Sequence, residues 1–139
     1  MFELHPRLKQ DCHELGRFPL SRLLLMNDRR FPWFILVPER QDIREIFHLG
    51  EADRSQLLRE SCHLSAGIDA AFRPDKLNIA AIGNLVPQLH VHHIARYQTD
   101  PLWPAPVWGS GPAVPYAPAD LDELRERFCP LLAEGFAPA

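Results

Sequence analysis

Blocks of apolar residues along the chain are separated by short polar or proline-containing segments, and each block predicts one strand or helix. Residues 23–26 (LLLM) predict a first strand, and the polar residues 27–30 (NDRR) predict a turn. Residues 33–37 (WFILV) form a continuous apolar run that ends at Pro38, which is typical of a second, buried strand. We expect these two strands to pair as antiparallel neighbours, followed by an irregular or briefly helical connection over residues 40–49.

The strongest helical pattern covers residues 51–72, where apolar residues recur at spacings of three and four. Acidic residues in its first turn suit the positive end of a helix dipole, and residues 73–75 (RPD) end the pattern. A third strand is predicted over residues 76–82, a turn at residues 83–84 and a fourth strand over residues 89–96.

The composition changes after the fourth strand. Six prolines alternate with Trp103, Trp108 and Tyr116 between residues 100 and 118, a density that neither a helix nor a sheet interior tolerates. We expect an ordered surface loop whose tryptophans either line a substrate entrance or cover the core. A final amphipathic helix is predicted over residues 120–132.

Length, charge and cysteine content narrow the class of protein. The 139 residues suffice for one domain (1–139) with a substantial core, and strands separated by few helices indicate an α+β fold rather than repeated βαβ units. A net charge of -3 provides no broad basic field for nucleic acid, and no apolar run approaches the roughly 20 residues of a membrane span. Cys12, Cys62 and Cys129 are widely spaced, which is typical of reduced thiols in a cytoplasmic protein.

The most distinctive stretch of the chain is the fourth predicted strand with its flanks, QLHVHHIAR at residues 88–96. Successive side chains of a strand point to opposite faces, so Gln88, His90 and His92 share one face. The opposite face carries Leu89, Val91 and His93. The pattern therefore predicts a buried strand that presents imidazoles in a fixed line.

Such a row of imidazoles supports three interpretations. His90 and His92 can supply two ligands to a metal ion, although no third ligand lies at a recognisable spacing and catalytic zinc usually has three. They can be structural, if each buried nitrogen is hydrogen-bonded. They can also perform covalent catalysis at phosphorus, because an imidazole is nucleophilic when an acceptor holds its other nitrogen. Two histidines on one face favour the third interpretation.

Residues 88–96 resemble the active-site strand of the histidine triad (HIT) superfamily of nucleotide hydrolases and transferases. That family carries His-x-His-x-His with apolar x, followed by a short apolar stretch and often an arginine. Aligning Arg96 with this arginine places His90 on the middle, nucleophilic histidine, His92 on the third and Gln88 on the first.

The resemblance continues outside the strand, over residues 20–96. Gly83-Asn84 lies where the family commonly has Gly-Gln, with the amide near the phosphate, and LNIAAIG resembles the strand before that turn. Asn27-Asp28 followed by FPWFILVPER resembles the nucleoside-binding strand pair. These matches imply that Asn84 and His92 bind the phosphate, that Asn27 or Asp28 reaches the ribose hydroxyls, and that Arg96 contributes to substrate binding.

Three residues depart from the family pattern. Gln88 replaces the first histidine, and its carbonyl can still orient an imidazole; Trp33 stands where another histidine is common; and His93 is an extra histidine that we expect on the sheet's other side. A second alignment makes His92 the nucleophile, with His90 as the first histidine and Ile94 in place of the third. The alignment on Arg96 is preferred because it also places the Gly-Asn turn correctly.

Membership of this family implies a HIT-like α+β fold: an antiparallel sheet of about five strands, one long helix and one C-terminal helix, usually as a homodimer. The implied activity is hydrolysis or nucleotidyl transfer at the α-phosphate of a nucleoside polyphosphate or phosphoramidate, through a nucleotidyl-histidine. The expected partner is a small-molecule nucleotide, with no nucleic acid, membrane, cofactor or metal. A catalytically impaired nucleotide-binding protein and a metal-dependent hydrolase are the alternatives.

Overall fold

Six strands form one antiparallel sheet in the computed structural model, which describes residues 1–139. In chain order the elements are α1 (Pro6–Asp11), β1 (Cys12–Arg17), β2 (Ser21–Met26), β3 (Trp33–Pro38), α2 (Glu51–Phe72), β4 (Lys76–Ala80), β5 (Val91–Arg96), α3 (Pro118–Leu132) and β6 (Ala137–Pro138). A short 3-10 helix, Ile46–His48, precedes α2. Along the sheet the strands lie in the order β4-β5-β3-β2-β1-β6.

The central strands β3 and β5 are buried along their whole lengths. They pair in antiparallel register, with Trp33 opposite Ile94 and Ile35 opposite His92. Both faces of the sheet are covered at this point, which explains why the sequence of β3 is continuously apolar instead of alternating. The histidines of β5 consequently project from a fully buried pair of central strands.

Apolar cores lie on the two faces of the sheet. The larger core packs α2 and α3 against the first face, with Phe34 and Phe128 at a ring-centroid separation of 4.6 Å. The second core joins Leu8 of α1 and Val107 of the proline-rich loop to Trp33 and its neighbours on the opposite face. No helix of the chain is long and apolar enough to cross a membrane.

The predicted α+β class and the paired first and second strands are confirmed, and the long helix has the predicted bounds. The sheet has six strands, whereas the sequence pattern predicted four and the resemblance implied about five; β1, β6 and α1 were not predicted. β1 reads CHELGR, whose polar residues conceal its strand pattern, and β6 has only two residues. β5 begins at Val91 rather than at residue 89, so His90 directly precedes the strand.

Candidate functional site

A cavity of about 450 Å³ opens on the sheet face opposite α2 and α3, where β5 begins. His90 and His92 lie in its wall, as the alternation of the strand predicted. Their ring centroids are 4.9 Å apart. The remaining wall comes from α1, β2, β3, the turn before β5 and the proline-rich loop: Arg7, Leu8, Asp11, Met26, Trp33, Ile82, Gly83, Asn84, Leu85, Val86, Trp108 and Gly109.

His90 presents an unprotonated ring nitrogen to this cavity. Its Nδ1 lies 2.7 Å from the backbone carbonyl oxygen of Gln88. A carbonyl only accepts hydrogen bonds, so Nδ1 carries the proton and donates, and Nε2 of the neutral ring keeps its lone pair. The side chain is buried, and this burial lowers the pKa of His90 below its usual value. The neutral, nucleophilic form therefore prevails near neutral pH.

His92 has the opposite tautomer. Its Nδ1 accepts a hydrogen bond of 2.9 Å from the indole N–H of Trp33, and an indole nitrogen only donates. The proton of the neutral imidazole must therefore be on Nε2. Burial, followed by the nearby rings of His90 and His93, lowers the pKa of His92 to about 3. The two rings thus offer the cavity one lone pair and one N–H donor.

Trp33 lies in the cavity wall and bonds to His92, a contact that the sequence pattern did not predict. It pairs with Ile94, so its side chain lies diagonally across from His92 on the same sheet face, within reach of a long aromatic side chain. Trp108 packs edge-on against both residues, with ring centroids 6.0 Å from Trp33 and 5.1 Å from His92. Trp108 thus lines the cavity, whereas Trp103 lies beneath the guanidinium of Arg96.

Gln88 acts on His90 through its backbone and not through its side chain. The side-chain amide points to the N-terminal segment: Oε1 accepts from the backbone N–H of His5 at 2.9 Å, and Nε2 donates to the carbonyl of Glu3 at 2.9 Å. The expected orientation of an imidazole by a glutamine carbonyl is therefore performed by the main-chain carbonyl of Gln88.

The other expected substrate-binding residues occupy two places. Asn84 is exposed in the wall of the histidine cavity, as the resemblance implied. Asn27 and Asp28 line an adjoining groove of about 510 Å³, which shares Trp33 and Trp108 with the cavity. The groove and the cavity therefore form one continuous surface.

Asn27 and Asp28 already have partners within the protein. Asn27 Oδ1 accepts from the backbone N–H of Tyr116 at 2.9 Å, which ties the proline-rich loop to the end of β2. Asp28 is 2% exposed and pairs with Arg30 at 2.7 Å. Burial acts to raise the pKa of Asp28, but hydrogen bonds from Arg30 and the backbone N–H of Val114 outweigh it and lower the pKa. Asp28 is consequently an ionised anchor of the loop.

Arg96 does not line the cavity, and the expected contact with substrate is not seen. Its side chain is buried and binds Asp100 through Nε at 2.8 Å and Nη2 at 3.1 Å. Further bonds reach the side chain of Asn78 and the carbonyl of Ala105. All these partners belong to the protein, so Arg96 holds the start of the proline-rich loop against β5 instead of facing a ligand.

His93 points to the opposite face of the sheet, as the alternation predicted. Its Nδ1 donates to the carbonyl of Val91 at 3.0 Å, and its Nε2 accepts from the hydroxyl of Ser61 on α2 at 2.7 Å. It is a satisfied core histidine, remote from the cavity. No group of three histidine, cysteine or acidic side chains has a geometry that could hold a metal ion.

Helix α1 contributes a wall that the sequence pattern did not reveal. Arg7 and Asp11 line both the histidine cavity and the adjoining groove. The available signal was a His-Pro pair at residues 5–6: the side chain of His5 caps the helix by accepting from the backbone N–H of Arg7 at 3.1 Å, and Pro6 occupies the first helical position. A helix of six residues is too short for hydrophobic periodicity to identify.

Solved structures with the same fold resemble this chain closely. A histidine triad protein from Marinobacter aquaeolei is 50% identical, covering 97% of this chain and 98% of its own, with a TM-score of 0.94. Histidine triad proteins from Sinorhizobium meliloti and Bradyrhizobium japonicum are 45% and 41% identical, with TM-scores of 0.91 and 0.92. Each match covers 94% of this chain, together with 96% of the Sinorhizobium and 98% of the Bradyrhizobium protein. No curated protein matches.

The family model of the HIT domain matches residues 7–99, which include most of α1, the sheet from β1 to β5 and both cavity histidines. The match covers more than half of the chain, and the structural neighbours extend it to the C-terminal helix. This protein therefore belongs to the histidine triad family.

Proposed function

We propose that this protein is a nucleotide hydrolase or nucleotidyl transferase that acts at the α-phosphate of a nucleoside polyphosphate or phosphoramidate. Family membership supports a nucleotide-binding or hydrolytic role in general. The observation that carries the more specific proposal is the pair of complementary tautomers: His90 has a free lone pair on Nε2, and His92 has a proton there. One ring is suited to attack phosphorus and the other to bind its oxygen.

In the first step, Nε2 of His90 attacks the α-phosphorus. A nitrogen–phosphorus bond forms while the bond from phosphorus to the leaving oxygen or nitrogen breaks, and the leaving group takes its proton from solvent. Nε2–H of His92 donates to a non-bridging oxygen, and the amide of Asn84 supplies a neutral donor from the cavity wall. Preorganised donors at oxygens that gain charge account for much of the rate of such transfers.

In the second step, water attacks the phosphorus of the nucleotidyl-histidine and the nitrogen–phosphorus bond breaks. The nucleoside monophosphate leaves, the proton of the attacking water passes to solvent, and His90 recovers its neutral form. The Nδ1–H group of His90 becomes more acidic when Nε2 carries phosphorus. Its hydrogen bond to the carbonyl oxygen of Gln88 is then stronger, and this bond stabilises the intermediate. An alcohol or amine acceptor in place of water would make the reaction a transfer.

The same geometry argues against His92 as the nucleophile. Its Nδ1 lone pair is used by the indole of Trp33, so its Nε2 is protonated and has no lone pair in the plane of the ring. Attack by His92 would first require this bond to break. The alignment on Arg96, with His90 in the middle position, is the one that the hydrogen bonds favour.

The adjoining groove is the place we assign to the nucleoside. Asn27 Oδ1 is occupied by the backbone of Tyr116, which leaves the amide N–H group as a donor for a ribose hydroxyl. Asp28 is saturated by Arg30 and Val114, so its contribution is to shape the groove. This revises the direct contact between Asp28 and ribose that the resemblance implied.

A nucleotide-binding protein without turnover is the second candidate function. It is favoured by the side chain of Gln88, which takes no part in the cavity although it occupies the position of a family histidine. Binding of nucleotide with no release of nucleoside monophosphate would identify this function.

Two further proposals concern the assembly and the cell. β4 lies at the edge of the sheet with one side unpaired, and Ile79 on this strand is 51% exposed. We assign this edge to a homodimer, because an apolar unpaired edge strand is a template for pairing.

Three free cysteines and a negative net charge fit a cytoplasmic protein that does not bind nucleic acid.

The proposal is tested by measuring release of nucleoside monophosphate from adenosine phosphoramidate and from diadenosine polyphosphate. We expect His90→Ala to lose several orders of magnitude in kcat, because the nucleophile has no substitute in the cavity. His48→Ala, which removes an exposed histidine outside the cavity, is the matched control and should retain normal turnover. Near-native turnover by His90→Ala would refute the assignment.

A further inference from the structure

We infer that Arg7 binds the phosphate of the transferred nucleotide and that Gln88 is a positioning residue that holds Arg7 in place. This inference rests on the proposed function of the same site and adds the N-terminal segment to it. Arg7 lies on α1, which the side chain of Leu8 anchors in the second apolar core. The helix is therefore a fixed wall of the site.

Gln88 connects this wall to the active-site strand. Its amide accepts from the backbone of His5 and donates to the backbone of Glu3, so two hydrogen bonds of 2.9 Å join the N-terminal segment to the residue that also orients His90. A neutral imidazole also has one donor and one acceptor, but its two ring nitrogens point to opposite sides of the ring, whereas both groups of the amide lie at the end of the side chain. The side chain of Gln88 thus binds the backbone of the segment that leads into α1.

Arg7 stands where the groove and the histidine cavity meet, since it lines both. It is the only lysine or arginine among the residues that line the cavity. The groove has one other arginine, Arg30, whose donors are engaged by Asp28 and Ser110. Arg7 has only a loose contact with Asp11, at 3.6 Å from Nε, and its two terminal nitrogens make no hydrogen bond within the protein.

The position of Arg7 between the groove and the cavity indicates which group of the nucleotide it would bind. A nucleoside in the groove with its α-phosphorus at His90 must pass its phosphate across the junction at which Arg7 lies. A guanidinium binds phosphate oxygens through two parallel N–H donors, with a strength that a neutral donor does not reach. Arg7 would contact the phosphate that remains with the nucleoside, so its effect should not depend on the leaving group.

Product binding tests this without requiring turnover. Calorimetry would compare the Kd of adenosine 5′-monophosphate with that of adenosine, for the wild type and Arg7→Ala. We expect Arg7→Ala to weaken binding of the monophosphate on the order of 10- to 100-fold and to leave adenosine unchanged. Lys9→Ala removes the same charge from an exposed position of the same helix and should change neither Kd.

Gln88→Met tests the positioning role, because it keeps the length of the side chain and the backbone carbonyl but removes both amide bonds. It should weaken binding of the monophosphate, and it should raise KM by a larger factor than it lowers kcat. The double variant should lose less affinity for the monophosphate than the sum of the losses in Arg7→Ala and Gln88→Met, since the glutamine acts through the arginine.

The measurements distinguish failure of this inference from failure of the proposed function. Equal monophosphate affinity in the wild type and Arg7→Ala, or equal loss of affinity for adenosine, would overturn the inference alone. Loss of kcat without a change in KM for Gln88→Met would overturn the positioning role. A wild type that binds neither adenosine nor guanosine 5′-monophosphate would overturn the proposed function and this inference together.

Discussion

Replacing Trp33 with phenylalanine removes the single hydrogen bond that fixes the tautomer of His92. The indole N–H donates to Nδ1 of His92 at 2.9 Å, and Trp33 is only 6% exposed, so no water takes its place readily. A neutral hydrogen bond contributes about 1 kcal/mol, which biases the tautomer roughly fivefold. The unpaired nitrogen left behind costs about 1–3 kcal/mol of the free energy of unfolding.

The catalytic consequence follows from the same bond. In Trp33→Phe, part of the His92 population carries its proton on Nδ1 and offers no donor from Nε2, so we expect kcat at pH 8 to fall by up to about fivefold. The pKa of His92 should rise from about 3 by less than one pH unit, because its Nδ1 becomes free to accept a proton and one unit corresponds to about 1.4 kcal/mol. His92 therefore stays neutral in both proteins between pH 6 and 8, and the deficit of the variant relative to the wild type should be constant over this range.

Nitrogen-15 NMR of labelled histidine measures the tautomer directly. The wild type should show His92 with its proton on Nε2, whereas Trp33→Phe should show a mixture of the two tautomers. In neither protein should this ring titrate between pH 5 and 8. Trp108→Phe is the matched control, since Trp108 packs edge-on against His92 without a hydrogen bond to it. A wild-type spectrum with the proton on Nδ1, or a spectrum that Trp33→Phe leaves unchanged, would refute the reasoning.

Three further predictions concern stability and assembly. In the folded protein the pKa is about 3 for His92 and about 4 for His93, and both values lie below the unfolded value near 6.5. The unfolded chain therefore binds more protons than the folded protein between these values. The free energy of unfolding should consequently fall as the pH drops from about 6.5 toward 4. Each histidine contributes a slope of up to about 1.4 kcal/mol per pH unit, measurable by urea denaturation; stability that is flat over this range would contradict the burial argument. Arg96→Met leaves Asp100 buried without its partner and should cost about 3–5 kcal/mol in the same assay, with faster proteolysis within residues 100–118; an unchanged urea midpoint would contradict the structural role. Ile79→Lys should convert a wild-type dimer to a monomer in sedimentation equilibrium, and an identical mass for the two proteins would argue against the β4 edge as the interface.

The central elements of the fold could be predicted because their patterns are local. The run of residues 33–37 and the helical spacing of residues 51–72 each carry enough apolar residues to identify an element on their own. β1 could not be predicted, since CHELGR does not alternate between apolar and polar residues and its pairing depends on β2 and the two-residue β6 from the other end of the chain. Such contacts between distant segments have no local signal.

The candidate site could be predicted only as far as strand alternation and motif resemblance extend. Alternation placed His90 and His92 on one face and His93 on the other, and the cavity and the Ser61 contact agree with it. The role of Trp33 depends on a cross-strand register, and that of Arg7 on the packing of a six-residue helix, so neither could be read from spacing.

Arg96 is a residue for which the sequence resemblance implied a substrate contact that the structure does not support. A motif arginine next to the active-site strand suggested a substrate contact, yet its partners are Asp100, Asn78 and the backbone of Ala105. The pairing with Asp100, four residues later, forms only because the proline-rich loop turns back onto β5. Sequence spacing does not reveal that turn.

The central claim is that His90 carries the nucleotide during the reaction. Rapid mixing with adenosine phosphoramidate, quenching within milliseconds and peptide mass mapping would locate the added group. We expect one adenylyl group on the peptide that contains residues 88–96, at His90, appearing before free adenosine 5′-monophosphate and absent from His90→Ala. Adenylation at His92, or product formation at full rate with no adduct at any time after mixing, would contradict the mechanism.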